Sequence, residues 1–182
     1  MATKVLLVSE DYIKTYSNLN DNVWGDYLLP SIREAQDMGL QTILGECLYN
    51  RILSLVDSGD IAENENAWYK ALLDDYIQDY LMYKVLTDLV PIIGVKLANL
   101  GTVISNDEHV QNLTETERSN VKQYYQIRAD FRARRMQEFL LNNRGEFAEL
   151  NDCDCDRLKA NLDSAASTGL FLGGARGRRI RK

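Results

Sequence analysis

The side chains most suited to chemistry are four aspartates near the C-terminus. Asp152, Asp154, Asp156 and Asp163 occupy positions 1, 3, 5 and 12 of a calcium-loop count. The match fails where the geometry is most demanding. Arg157 stands where glycine is needed for the sharp turn, and Asp163 replaces the bidentate glutamate, so the stretch reads as a solvated acidic loop. Cys153 and Cys155 have no second Cys or His pair nearby to complete a tetrahedral zinc site. His109, the one histidine, follows Asp107 and Glu108 in a polar stretch and belongs to no nucleophile–base set. Asp74, Asp75 and Asp79 are expected on the solvated face of a helix, opposite its aromatic ridge. The phosphate-binding, dinucleotide-binding and metalloprotease patterns are missing from the sequence. The expectation is no catalytic residue, no metal and no cofactor, with function carried by surfaces.

Those surfaces must be positioned by helices. Asn66 to Leu89 runs without Gly or Pro and ends just before Pro91. Trp68, Leu72, Tyr76, Tyr80 and Tyr83 form one ridge, and Leu73, Ile77, Leu81 and Val85 form a second beside it. Two ridges make a face wide enough for several neighbours, so this is the central helix of an all-α bundle of four to five helices. Before it, Ser9 is placed to cap a short helix through Tyr12, Ile13 and Tyr16. A longer segment follows from Trp24 to Val56, with Pro30 at a first turn or kink. Gly39 and Gly45 in that segment would either break the helix or let another helix approach closely. The three cysteines, Cys47 among them, suggest no disulfide framework, which points to a reducing compartment. Neither a signal peptide nor a membrane span is expected.

After the central helix, Pro91 to Asn112 reads as a loop or small β-hairpin insertion. Thr114 and Glu117 form a capping box opening the last long helix, whose apolar stripe is Val121, Tyr124, Tyr125, Phe131, Met136, Phe139 and Leu140. Gly145 is the expected stop. A helical domain over 1–150 is thus followed by a polar linker and basic arm over 151–182.

Charge is distributed unevenly. The chain has 21 Lys and Arg against 27 Asp and Glu, and five of the cations (Arg176, Arg178, Arg179, Arg181 and Lys182) lie at the very end; the other 16 leave the body at about −11. An acidic body is a poor general binder of nucleic acid. Against that trend the last helix is basic. Its Arg118, Lys122, Arg128, Arg132 and Arg135 are expected at a subunit interface, meeting an acidic face of the next copy; ordinary intrahelical pairing is the simpler alternative. In the arm, Leu170, Phe171 and Leu172 supply an apolar anchor, followed by a Gly173-Gly174 hinge and the basic end, a composition fit for docking on a partner. A solubilising tail would have the same glycine and arginine content. Ten tyrosines against four phenylalanines suit partly buried faces, whether interfaces or core edges.

The order of segments resembles a known family. A short capped helix (SEDYIKTYSNL), an amphipathic stretch (LLPSIREAQDMGLQTILGECLYNRIL), a long central helix, a loop or hairpin (KLANLGTVISNDEHVQ), a last helix (YYQIRADFRARRMQEFL) and an arm follow one another. This resembles the head–tail connector proteins of tailed bacteriophages, most closely the ring proteins of crAss-like phages. The likeness covers roughly residues 5–150 by pattern and order rather than by a sharp motif. It implies a non-enzymatic helical protomer of a homo-oligomeric ring, typically twelve copies, at the capsid–tail neck of the virion. The implied partners are the portal protein and tail-side neck proteins, with genome DNA passing the lumen without specific binding. The rival is a phage nucleic-acid-binding regulator using the basic last helix and arm. A metal-dependent enzyme built on the aspartate clusters is the third class, and it lacks convergent ligands.

Overall fold

The computed structural model describes residues 5–19, 25–92, 95–98, 101–104, 114–151, 159–160 and 162. Five helices make the body. Helix α1 is Glu10–Tyr16. Helix α2 is built from Gly25–Glu34, a π-helical stretch Ala35–Leu40 and a last turn Gln41–Leu44. Helix α3 is Glu46–Ser58. Helix α4 joins Ala67–Leu72, a π-helical turn Leu73–Ile77 and Gln78–Leu89. Helix α5 is Glu115–Asn142. Between α4 and α5, β1 (Val95–Ala98) and β2 (Gly101–Ile104) pair antiparallel, Val95 opposite Ile104 and Ala98 opposite Gly101. The architecture is all-α, with that hairpin as its insertion.

The π-helical stretches have a cause in the sequence. In α2 and α3 the buried residues recur every fourth position: Leu28, Ile32, Gln36, Leu40, Leu44, Leu48 and Ile52. Helix α4 repeats the device with Leu73, Ile77, Leu81, Val85 and Leu89. With 3.6 residues per α-turn, a strict four-residue ridge drifts by about 40° at each step and would leave the core within a few turns. The wider π-turn rotates less per residue and takes part of that drift back. In α2 the ridge is then reset at Gly45, whose φ of 75° ends one helix and starts the next.

Both ridges of α4 are buried except Tyr76 and Tyr83, which are half-buried, and Trp68, which stays 41% exposed. Helix α2 covers one side of α4 and α5 covers another. The α2 contact depends on Gly39. A Cβ added there would come within 2.7 Å of the Tyr80 hydroxyl, so only glycine allows the approach. At the N-terminal edge, buried Gln36 stitches the incoming extended segment to α2. Its Oε1 accepts from Leu7 N–H at 2.8 Å and its Nε2 donates to the Val5 carbonyl at 3.2 Å. That pairing satisfies backbone groups which burial of Leu7 and Val8 would otherwise orphan.

Several terminus signals hold and one does not. Ser9 caps α1, its hydroxyl accepting from Tyr12 N–H at 3.0 Å. Pro30 lies inside α2, with its ring on an exposed face. Gly145, expected to end α5, sits instead in a short 3₁₀ turn, Arg144–Glu146. The stop is Asn143, whose side-chain amide donates to the Phe139 carbonyl at 2.8 Å while its own N–H bonds the same carbonyl. A side-chain donor can satisfy the last carbonyl without left-handed backbone, which removes the need for glycine.

Beyond α5 the chain folds back. Phe147 is fully buried, edge-on to Tyr69 with centroids 5.3 Å apart, and it meets Phe139 at 6.1 Å. Phe139 stacks on Tyr76 at 4.5 Å. Glu149 accepts from the Tyr69 hydroxyl at 2.9 Å. Leu162, within the stretch expected as linker, packs against the core. The calcium-like aspartates 152, 154, 156 and 163, His109, and Cys153 and Cys155 lie outside the described residues.

The close approach at Gly39 gives a direct test. Gly39→Val should destabilise the protein by about 1–3 kcal/mol, since Tyr80 is buried and cannot withdraw without disturbing the core. Urea denaturation followed by circular dichroism measures it, and an unchanged midpoint would contradict the contact.

Candidate interaction surface

Helix α5 starts as the sequence dictates. Thr114 Oγ1 accepts from Glu117 N–H at 3.3 Å, and Glu117 Oε2 accepts from Thr114 N–H at 2.9 Å. The Thr114 N–H bond first, and then the bond its hydroxyl donates to the same Oε2 at 2.8 Å, hold the Glu117 carboxyl below its ordinary range. From there α5 runs antiparallel to α4: Arg132 meets Asp79, and a turn or two further on Phe139 meets Tyr76 and Trp68.

The five cations expected at an interface do not share one environment. Arg132 turns inward. Its Nη1 lies 2.8 Å from Asp79 Oδ2, while Asp79 Oδ1 accepts from the Tyr12 hydroxyl at 3.0 Å. With side-chain exposures of 29% and 25%, the pair is partly shielded from solvent. One carboxylate therefore ties α1, α4 and α5 together. Arg132 thus acts as a strut within the chain, and Asp79, expected on a solvated face, is half-buried. The reason is geometric: antiparallel packing brings an α5 arginine beside an α4 carboxylate some fifty positions away in sequence.

The other four cations remain outward or half outward. Arg128 lies over the Tyr124 ring, 3.3 Å from its centroid, and donates to the Tyr124 carbonyl at 3.1 Å. Stacking of this kind fixes a guanidinium while leaving its edge donors available. Arg135 stands 5.8 Å from the Tyr76 ring centre. Lys122 is exposed and Arg118 half-buried in the first turns. At this end of the bundle, Tyr16, Tyr83, Tyr124, Tyr125 and Arg128 line a cleft of about 130 Å³. Asp74 is paired with Lys70 on the exposed side of α4. Acidic side chains collect at the far end: Asp57 in the last turn of α3, and Asp60, Glu63 and Glu65 between α3 and α4, are all exposed. Buried Asn66 braces that corner, donating to the Asp60 carbonyl at 2.9 Å.

The apolar residues of α5, expected as one stripe, occupy two faces. Ala129, Met136 and Leu140 are buried against the body, whereas Tyr124, Ile127 and Phe131 are exposed. Composition alone marks the positions as apolar; only the packing direction separates them.

A larger groove, about 320 Å³, lies between the α2–α3 corner and the chain beyond α5. Leu44, Cys47, Leu141, Leu150 and Leu162 contribute to its walls. Cys47 is disulfide-bonded, which corrects the expectation of free thiols. Among the described residues, no group of His, Cys, Asp and Glu is arranged to hold a metal. No described helix is long and apolar enough to cross a membrane. The arm residues Leu170, Phe171, Leu172, Arg176, Arg178, Arg179, Arg181 and Lys182 lie outside the described residues.

Burial and neighbouring carboxylates hold several phenols protonated. Tyr12 and Tyr69 are both pushed up to about 12, by desolvation first and then by Asp79 and Glu149 respectively. Tyr49 is also raised to about 12 by desolvation, with Gln36 opposing and Asp37 adding to the rise. Tyr80 is raised by burial.

Residues 40–159 match the model of a family of unknown function (DUF6712), and the chain belongs to that family. The matched region spans α3, α4 and α5, and so the helices that carry the cationic and acidic surfaces. No curated protein and no solved structure matches the chain.

Two measurements test this geometry. In a double-mutant cycle, Asp79→Ala and Arg132→Ala should couple by about 1 kcal/mol, whereas independent effects would deny the bridge. The raised phenols give a pH dependence of definite sign. A tyrosine titrating near 10 when unfolded and near 12 when folded contributes stability in full below pH 10. That contribution disappears as pH rises from about 10 through about 12. Thermal melts across this window should show falling midpoints, with a shallower fall for Tyr12→Phe.

Proposed function

We propose that this member of the DUF6712 family is a structural subunit of a virion head–tail connector. In this reading it forms a ring beneath the portal, joins capsid to tail and lines the DNA channel, and it works by making interfaces rather than by catalysis. The observation that carries the proposal is the separation of charge along the bundle. Beyond an acidic first turn (Glu115 and Glu117), Arg118, Lys122 and Arg128 stand along the start of α5, and Asp57, Asp60, Glu63 and Glu65 are exposed at the other end. A cationic patch and a separate acidic patch on one protomer favour head-to-tail contact, and head-to-tail contacts close into rings when the rotation permits. Arg128 suits such a surface because its stacking on Tyr124 presets its position before a partner arrives. The resemblance in segment order supports the same reading, and so does a net charge of −6, which disfavours sticking to DNA.

The arm then supplies the tether. Its apolar anchor and basic end reach the portal or an adjoining subunit, while repeated weak contacts add through valency. The full-length protein should gain mass when mixed with its portal, as read by native mass spectrometry. Removing residues 170–182 should leave the helical signal and cooperative unfolding intact and abolish that gain. Undiminished portal binding by the truncated protein would remove the tether. Tight DNA retardation with a steep salt dependence would replace the connector reading with that of a nucleic-acid-binding regulator.

A further inference from the structure

Helix α5 is built to be covered twice. Its inner face is already used, with Ala129, Met136 and Leu140 each no more than 1% exposed. On the opposite face, Tyr124, Ile127 and Phe131 are 47%, 60% and 58% exposed, and Leu141, 43% exposed, stands at the margin of this face, where it also walls the groove beside the chain beyond α5. A helix that buries a single face carries charged or polar residues on the other, so a second line of large apolar side chains marks a surface awaiting a partner. Arg134 and Glu138 stand in the same line, both exposed, and neither forms an ion pair with the described residues. The series Tyr124, Ile127, Phe131, Arg134, Glu138, Leu141 alternates steps of three and four. That is the a/d spacing of a two-helix seam.

We propose that this face pairs antiparallel with the same face of a second copy, about a two-fold axis passing near Met136. In an antiparallel seam each a position meets a d position of the other helix. Placing the axis there sets Arg134 against Glu138 of the second copy, and Phe131 against Leu141 of the second copy. Charge meets opposite charge and apolar meets apolar in one and the same register. The pattern is thus its own complement under a two-fold axis, as an isologous contact requires. Parallel pairing would set Arg134 against Arg134 and Glu138 against Glu138, and it is rejected by repulsion. Further out, Ile127 overhangs the turn of the second copy that holds Gly145. The space beside Gly145 is open, with nothing within 4 Å of an added Cβ. Arg128, stacked on Tyr124, borders this seam, but the pairing rests on Ile127, Phe131, Arg134, Glu138 and Leu141 and so does not rest on the connector reading.

A seam of about five turns belongs among the smaller interfaces, so the pairing depends on concentration. Sedimentation of the full chain over a wide range of concentration should show a monomer–dimer equilibrium. Ile127→Ser and Phe131→Ser should each abolish it while leaving the helical signal and unfolding midpoint nearly unchanged, since both side chains are exposed. Arg134→Glu alone, or Glu138→Arg alone, should weaken the dimer by about tenfold or more, and the two together should restore it to within a few-fold. A chain that stays monomeric at every concentration overturns the proposal. So does an oligomer indifferent to Phe131→Ser, or one in which the double charge exchange fails to rescue. An assembly lost on Lys122→Glu yet untouched by Phe131→Ser would sink the seam and leave the connector reading standing.

Discussion

Helix α4 is stable only if both of its apolar ridges are covered at once, and the rest of the molecule is arranged to meet that demand. Helix α2 covers one side at glycine distance, with Gly39 against Tyr80. Helix α5 covers another through Ala129, Met136 and Leu140. Where the cover thins, polar groups take over: Asp79 binds Tyr12 on one side and Arg132 on the other. Because α4 needs neighbours on several sides, its stability is inseparable from the correct placing of α1, α2 and α5. Packing supplies most of the stability of such a helix, and intrinsic propensity supplies little.

The same demand shapes the outer surface. Helix α5 takes its place on α4 with one face and so leaves its other face to solvent or to another molecule. The cationic residues are sorted by this step. Arg132, turned toward α4, becomes structural, while Arg128 and Arg135 rest on tyrosine rings at the margin. Tyrosine suits that margin because its ring packs and its hydroxyl reaches a polar partner. Tyr12, Tyr49 and Tyr69 each donate to a carboxylate from a half-buried ring, or, for Tyr49, from a buried one. The high tyrosine content therefore serves the core edge at these positions and the open cleft at Tyr16 and Tyr124.

Much of the fold was legible in the chain itself. The capping residues Ser9 and Thr114 announced two helix starts, because a cap needs one side chain and a local turn. The central helix was legible from its two ridges, whereas the insertion after it was legible only as a loop or hairpin. A strict four-residue repeat, Leu28 to Ile52 and Leu73 to Leu89, also carried the signal for the π-helical turns, since no straight α-helix can keep that series on one face.

The interaction surface was only half legible. That α5 is cationic and partly apolar follows from its residues, and so does the basic character of the arm. Which arginine faces α4, which apolar side chains face outward, and whether Cys47 stays a thiol did not follow. Each depends on contacts between residues tens of positions apart, such as Tyr12 with Asp79, Asp79 with Arg132 and Tyr69 with Glu149. Local sequence fixes what a segment can be, through propensity, caps and period. The direction in which its faces point is decided when the helices pack, because burying α4 leaves α5 one way to lie upon it.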